Sequence, residues 1–180
     1  MSISIHATFI QLYGYGVLLE GESGIGKSLA TMALLKKGAQ LISDDIVHLQ
    51  IAKEILVGSA PKNLYDALEV RGLGLIRPSE YFGKIALRHS YPLHLALKLE
   101  LAKKPEDFQQ QRISPLLDWC YYLNQRTPCM TVIITESQAV ASFIHDAVCY
   151  WHLLTQREDT CTSSSSVAAQ VLEKPFLYTP

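Results

Sequence analysis

The sequence predicts an α/β domain organised around a glycine-rich connection between a strand and a helix. Three observations carry that expectation. The apolar run "GVLLEG" at 16–21 leads straight into Gly24, Gly26 and then Lys27-Ser28. A run with helical spacing follows to Lys37, and strand-length apolar runs recur beyond it, most clearly "LHLALKLEL" at 93–101 and "MTVIIT" at 130–135. Strand and helix patterns that alternate in this way are the mark of an α/β fold.

Taken in order, "SISIHATFIQLYG" at 2–14 reads as one strand, because Ile3, Ile5 and Ala7 alternate until Gly14 ends the run. "GVLLEG" is a second, more buried strand. From Ser28 to Lys37 the spacing predicts a helix with Leu29, Met32, Ala33 and Leu34 on one face, and Gly38 stops it. "AQLIS" and "IVHLQI" read as strands on either side of Asp44-Asp45. Short mixed elements fill 52–100, with "LEVRGLGLI" at 68–76 and "LHLALKLEL" as strands. Residues 116–126 read as helical and "MTVIIT" as a buried strand. Val140, Phe143, Ile144, Ala147, Val148, Trp151 and Leu154 mark an amphipathic helix. After Gln156 the pattern dissolves into "REDTCTSSSSVAAQ", so the expected organisation is a catalytic domain over 1–157 and a flexible Ser-rich tail over 158–180.

The chain's 180 residues, 48% of them hydrophobic, suffice for one good core. A net charge of -1 gives no support to a nucleic-acid partner or an anionic membrane surface. No apolar run reaches the length of a membrane span and the N-terminus lacks the basic region of a signal peptide, so a cytoplasmic protein is expected. The four cysteines, Cys120, Cys129, Cys149 and Cys161, form no C-x-x-C pair and read as free thiols. The histidines show no metal-ligand spacing: His89 and His94 fall on opposite faces if they share a strand, and His145 and His152 are two helical turns apart.

Gly21, Gly26, Lys27 and Ser28 satisfy G-x-x-x-x-G-K-[ST] after a strand and at the head of a helix. Glycines let the backbone curl so that N–H groups converge on phosphate oxygens, and the helix N-terminus adds its positive end. Lys27 supplies a mobile charge for terminal phosphates and Ser28 a hydroxyl for Mg²⁺. Asp44-Asp45 follows, at a strand end where ligands gather in open α/β sheets; the same pair also reads as a simple turn. Glu69 and Arg71, on one face of an expected strand before Gly72 and Gly74, read either as a ligand-facing pair or as a half-exposed ion pair before a bulge.

Together "IHATFIQLYGYGVLLEGESGIGKS", "LLKKGAQLISDDIV" and "LEVRGLGLI" resemble the catalytic domain of HPr kinase/phosphorylase, which phosphorylates a serine of the phosphocarrier protein HPr. The likeness covers about residues 3–85. It implies a fold related to the P-loop nucleotide-binding part of phosphoenolpyruvate carboxykinase, a mixed sheet with flanking helices, and a hexamer. It also implies ATP as phosphoryl donor, Mg²⁺ as cofactor and an HPr-like phosphocarrier as partner. The loop Gly21, Glu22, Ser23, Gly24, Ile25, Gly26, Lys27 and Ser28 would hold the phosphates. By position, the resemblance makes His6, Lys27, Asp45 and Arg71 catalytic, Asp45 being the carboxylate that exchanges a proton with the substrate serine. Ser28 and Glu69 match the metal ligands, and Arg112 in "QQQRIS" matches a downstream catalytic arginine.

Departures accompany these matches. The chain starts already in the catalytic strand, without the family's N-terminal domain. Ala7 replaces a usual glycine, and Leu29 a usual glutamate. "NQRTPCMTVII" keeps only an arginine and a proline of the loop associated with dephosphorylation. The expectation is therefore an HPr(Ser) kinase with at most residual phosphorolysis, set against a nucleotide-binding interaction module that has lost turnover.

Overall fold

The computed structural model describes residues 1–102, 116–135 and 139–158, without the side chains of residues 116, 157 and 158. The first expected strand is in fact two. β1 (Ser2–His6) and β2 (Thr8–Leu12) belong to different sheets, and Ala7, fully buried, is the step between them. Its N–H donates to the Asp45 carbonyl at 3.2 Å, which replaces a ladder bond at the break. Alternation alone could not reveal this, because a side chain keeps its period of two when the chain changes sheet.

β3 (Tyr15–Gly21) runs into the glycine-rich loop, and α1 (Lys27–Leu35) leaves it. Gly26 caps α1 in a left-handed conformation, φ 101°, which explains the glycine there. The buried face of α1 is Ala30, Thr31, Leu34 and Leu35. The expected face is thus rotated, and Leu29 is 63% exposed. The loop sets this register: Lys27 and Ser28 are turned to the cleft, and the inward positions follow from them. Gly38 stops the chain with φ 92°.

β4 (Gln40–Ser43), β5 (Ile46–Ala52) and β6 (Ile55–Ser59) come next. The stretch 68–76 is a two-stranded hairpin of β7 (Leu68–Val70) and β8 (Gly74–Ile76), not one strand, so Arg71 lies in its turn. Then follow α2 (Pro78–Phe82), a 3-10 turn at Lys84–Ala86, β9 (Ser90–Pro92) and β10 (Leu95–Leu101). His89 and His94 lie outside β9 and β10 and share no strand. The residues expected as helix from 116 form β11 (Leu116–Tyr122), paired antiparallel with β12 (Gln125–Ile134). Leu123 and Asn124 turn with positive φ, as a two-residue hairpin requires. Trp119, Tyr121 and Tyr122 suit a strand better than a helix. α3 (Val140–Glu158) closes the described chain.

The main sheet has the order β11-β12-β10-β3-β2-β4 and is mixed, with β12, β10 and β3 parallel. A smaller antiparallel sheet has the order β1-β5-β6-β9. Two cores follow from this layering. One face of the main sheet, through Leu19, Leu97, Met130 and Val132, packs with Leu34 of α1 and with Ile144, Val148 and Trp151 of α3. The other, through Phe9, Leu18 and Ala96, packs with Val47, Leu49 and Leu56 of the smaller sheet. Among the described residues no helix is long and apolar enough to cross a membrane.

Candidate active site

The parallel strands β3 and β10 end together at the glycine-rich loop, and the β4–β5 turn comes up beside it. A cleft of about 340 Å³ opens there, lined by His6, Thr8, Ser23, Gly24, Gly26, Lys27, Ser28, Leu29, Asp44, Asp45, Glu69 and Arg71. Six of the residues expected to act, His6, Lys27, Ser28, Asp45, Glu69 and Arg71, are therefore at one site although 65 positions of sequence separate the first from the last. Arg112 lies outside the described residues.

Within the loop the parts divide. Ser23, Gly24 and Gly26 line the cleft, whereas Ile25 turns its side chain into the core at 7% exposure and anchors the loop. The Ile25 N–H is occupied by the Glu22 carbonyl at 3.3 Å. Gly21 and Glu22 serve Lys27, whose ammonium donates to their carbonyls at 2.7 and 3.1 Å. Burial pushes the Lys27 pKa down, and the negative charges of Asp44 and Asp45 oppose this. An ammonium held by two neutral carbonyls keeps its charge available for an anion in the cleft.

Asp44 is buried and organises the floor. It accepts from Thr8 Oγ1 at 2.7 Å, from Ser28 Oγ at 3.1 Å and from the Glu69 N–H at 3.3 Å. One carboxylate thus ties together β2, the head of α1 and β7. Because Ser28 spends its proton on Asp44, its oxygen lone pairs remain free for a cation. The sequence marks the Asp44-Asp45 pair but gives a role to Asp45 alone, and it does not mark Thr8. Thr8 carried a signal, since two positions after His6 in an extended chain it shares that residue's side.

Asp45 is the residue next to this anchor and points the other way. It adopts φ 67°, a left-handed conformation that an aspartate tolerates better than most residues. The turn is tight, with Ile46 N–H donating to the Asp44 carbonyl at 2.8 Å. β1 pairs His6 with Ile46, which brings the imidazole alongside: His6 Nε2 and Asp45 Oδ1 are 3.3 Å apart, both more than half exposed. At that exposure the pair adds little stability, and its value lies in orienting the carboxylate. Across the cleft the Arg71 guanidinium rests on the loop's tip: a Cβ built at Gly24 would lie 3.1 Å from it. Gly24 therefore has two reasons to be glycine, that contact and φ 88°.

Among the described residues no three His, Cys, Asp or Glu side chains converge as a metal cage. The oxygen donors present, Ser28 with Asp44, Asp45 and Glu69 around it, nonetheless suit a hard cation that keeps most of its shell from water and phosphate, as Mg²⁺ does.

Fold and cleft together define an α/β mixed-sheet protein whose loop is built to hold an anion opposite a cluster of carboxylates. The chain belongs to the HPr Serine kinase C-terminal domain family, which it matches over residues 1–167. It is 31% identical over 146 residues to the HPr kinase/phosphorylase of Lachnoclostridium phytofermentans, covering 81% of this chain and 47% of that protein. With the HPr kinase/phosphorylase of Bacillus pumilus it shares 32% identity over 171 residues, 94% of this chain and 54% of the relative. The chain thus spans about half the length of these relatives. Its structure is similar to that of the HPr(Ser) kinase/phosphatase from Coxiella burnetii, with a TM-score of 0.81 at 28% identity over 88% of this chain and 95% of the other.

Proposed function

We propose that the chain is an ATP-dependent kinase acting on a serine of an HPr-like phosphocarrier protein. The observation that carries the reading is the division of the aspartate pair: Asp44 buried and bound to the loop serine, Asp45 turned outward against His6 at the cleft mouth. A protein that only binds nucleotide has use for the first carboxylate but none for the second. The names of the relatives favour the same reaction.

In this reading the loop from Gly21 to Ser28 holds the ATP phosphates, with Lys27 and Arg71 as the cations nearest the γ-phosphate. Ser28 and Glu69 would hold Mg²⁺, which when bound would supply positive charge for the phosphoryl oxygens. Asp45 accepts the proton of the incoming serine hydroxyl and His6 keeps the carboxylate aimed at it. Leu29, exposed at the lip, offers the incoming protein an apolar contact. The resemblance adds a hexamer, a cytoplasmic location and Arg112 as a further catalytic residue to the proposal. The segment 124–134 forms the β11–β12 turn and β12, so its Arg126 and Pro128 stand at the end of β12 away from the loop. That position favours kinase activity over phosphorolysis.

The test is Asp45→Asn, which keeps the shape and removes the proton acceptor. ATP–Mg²⁺ binding by calorimetry should be unchanged, and phosphoserine formation on HPr at least ~10²-fold slower. Wild type that binds ATP but phosphorylates neither HPr nor any serine in a lysate would replace the kinase with the interaction module.

A further inference from the structure

On the face of the main sheet turned away from α1 and α3, β3, β10, β12 and β11 bring together a patch that the cleft does not use. Strand register places Lys98 beside Glu20 and Thr131, and Ala96 beside Cys129. In the β11–β12 hairpin Asp118 faces Cys129 and Cys120 faces Thr127, so Cys120 and Cys129 are diagonal neighbours on that same face. The register thus sets both sulfurs on this face beside Lys98 of β10, whose pKa is raised by them, by Cys129 first and then by Cys120. Both thiols are free. Tyr122 closes the other side by donating to Glu20 Oε1 at 2.9 Å.

The two sulfurs have unlike surroundings. Cys129 is 1% exposed, and burial pushes its thiol well above the usual range. Cys120 is partly exposed and has an exposed lysine beside it. Reactive cysteines are partly exposed and lie beside a cation, whereas cysteines buried in apolar surroundings are inert. One cysteine is placed to meet a solute oxidant, and the other is placed to meet only the first.

We propose that Cys120 and Cys129 are a peroxide-oxidisable thiol pair, with Cys120 attacking and Cys129 resolving. Cys120 gives up its proton and its sulfur attacks one oxygen of hydrogen peroxide, the O–O bond breaks, and the departing hydroxide takes up that proton and leaves as water. The product is a sulfenic acid on Cys120. The Cys129 sulfur then attacks the Cys120 sulfur and expels its oxygen, which leaves as water with the Cys129 proton. Two thiols lose one electron each and one peroxide becomes two waters. Diagonal Cα atoms in a sheet lie ~7–8 Å apart and a disulfide spans at most ~6.8 Å, so closure slides β11 along β12 by roughly 1 Å. Among the described residues β11 is the edge strand of its sheet and pairs with β12 alone, so the shift disturbs one ladder.

Full-length protein treated with stoichiometric hydrogen peroxide and then digested without reduction tests this. The expected result is a single cross-linked peptide pair, Cys120 with Cys129, a loss of two of the four titratable thiols, and full recovery with dithiothreitol. Cys129→Ala should stop at a sulfenic acid on Cys120 that dimedone traps. Lys98→Met, which removes the cation beside the sulfurs, should slow the first step roughly tenfold. A cross-link to Cys149 or Cys161, or a persistent Cys120 sulfenic acid in wild type, would overturn the proposal.

Discussion

Asp44 and Asp45 show how one residue's difference in position separates two chemistries. Asp44 is reached by a hydroxyl from β2, a hydroxyl from α1 and an N–H from β7, and it is buried at the floor of the cleft. Asp45, one step on, is more than half exposed and meets His6 at ion-pair distance. Replacing Asp44 by Asn leaves the volume unchanged but gives Ser28 an amide in place of a full acceptor, and removes a charge that helps Lys27 stay protonated. Partners of metal ligands typically govern affinity by ~10–100-fold, so the Mg²⁺ concentration for half-maximal phosphorylation should rise by about that factor in Asp44→Asn. ATP binding measured without Mg²⁺ should change far less. Equal losses with and without metal would show that Asp44 supports the loop alone and not the cation position.

At the scale of elements, α3 illustrates what periodicity can and cannot deliver. Its apolar spacing was legible, and Ile144, Ala147, Val148 and Trp151 are all buried in the core that α1 shares. Trp151 is 1% exposed, so Trp151→Ala should cost about 3–5 kcal/mol in urea denaturation, the usual range for deleting a buried aromatic. A cost below ~1 kcal/mol would mean that α3 packs more loosely than its burial indicates. The glycine-rich loop and its flanking strand and helix were equally readable, since each residue there is demanded by local geometry. What was not readable depends on partners distant in sequence. Residues 116–122 carry mixed spacing, and only pairing with β12 makes them a strand. Ala7 marks a change of sheet that β5 and β3 decide between them. Arg71 was expected on a strand and lies in a turn, yet reaches the same cleft because the hairpin folds back over Gly24.

Across the whole molecule, the two sheets are joined where β9 of the smaller one passes through Leu93 and His94 into β10 of the larger. The crossing is close: a Cβ on Gly16 would lie 1.9 Å from the Pro92 carbonyl oxygen, so only glycine permits it. His94 fastens the crossing twice. Its backbone N–H donates to the Gly16 carbonyl at 2.9 Å, and its Nδ1 accepts the Gly16 N–H at 2.8 Å. A ring nitrogen that accepts cannot also carry a proton, so charging His94 breaks the second bond. Burial between Tyr15 and Tyr91 pushes its pKa down, with a bond to the Pro92 carbonyl opposing. The folded value therefore lies below the unfolded value of ~6.5, and the unfolded chain binds the extra proton in the interval between them. Stability from this group is complete above pH ~6.5 and is lost as pH falls through the folded value. His94→Asn keeps an acceptor near the position of Nδ1 and cannot charge. The urea midpoint of wild type should fall more steeply than that of His94→Asn between pH ~7 and pH ~5, with the two proteins losing a similar amount to other groups. Parallel pH profiles would show that the junction of the sheets does not depend on the neutral imidazole.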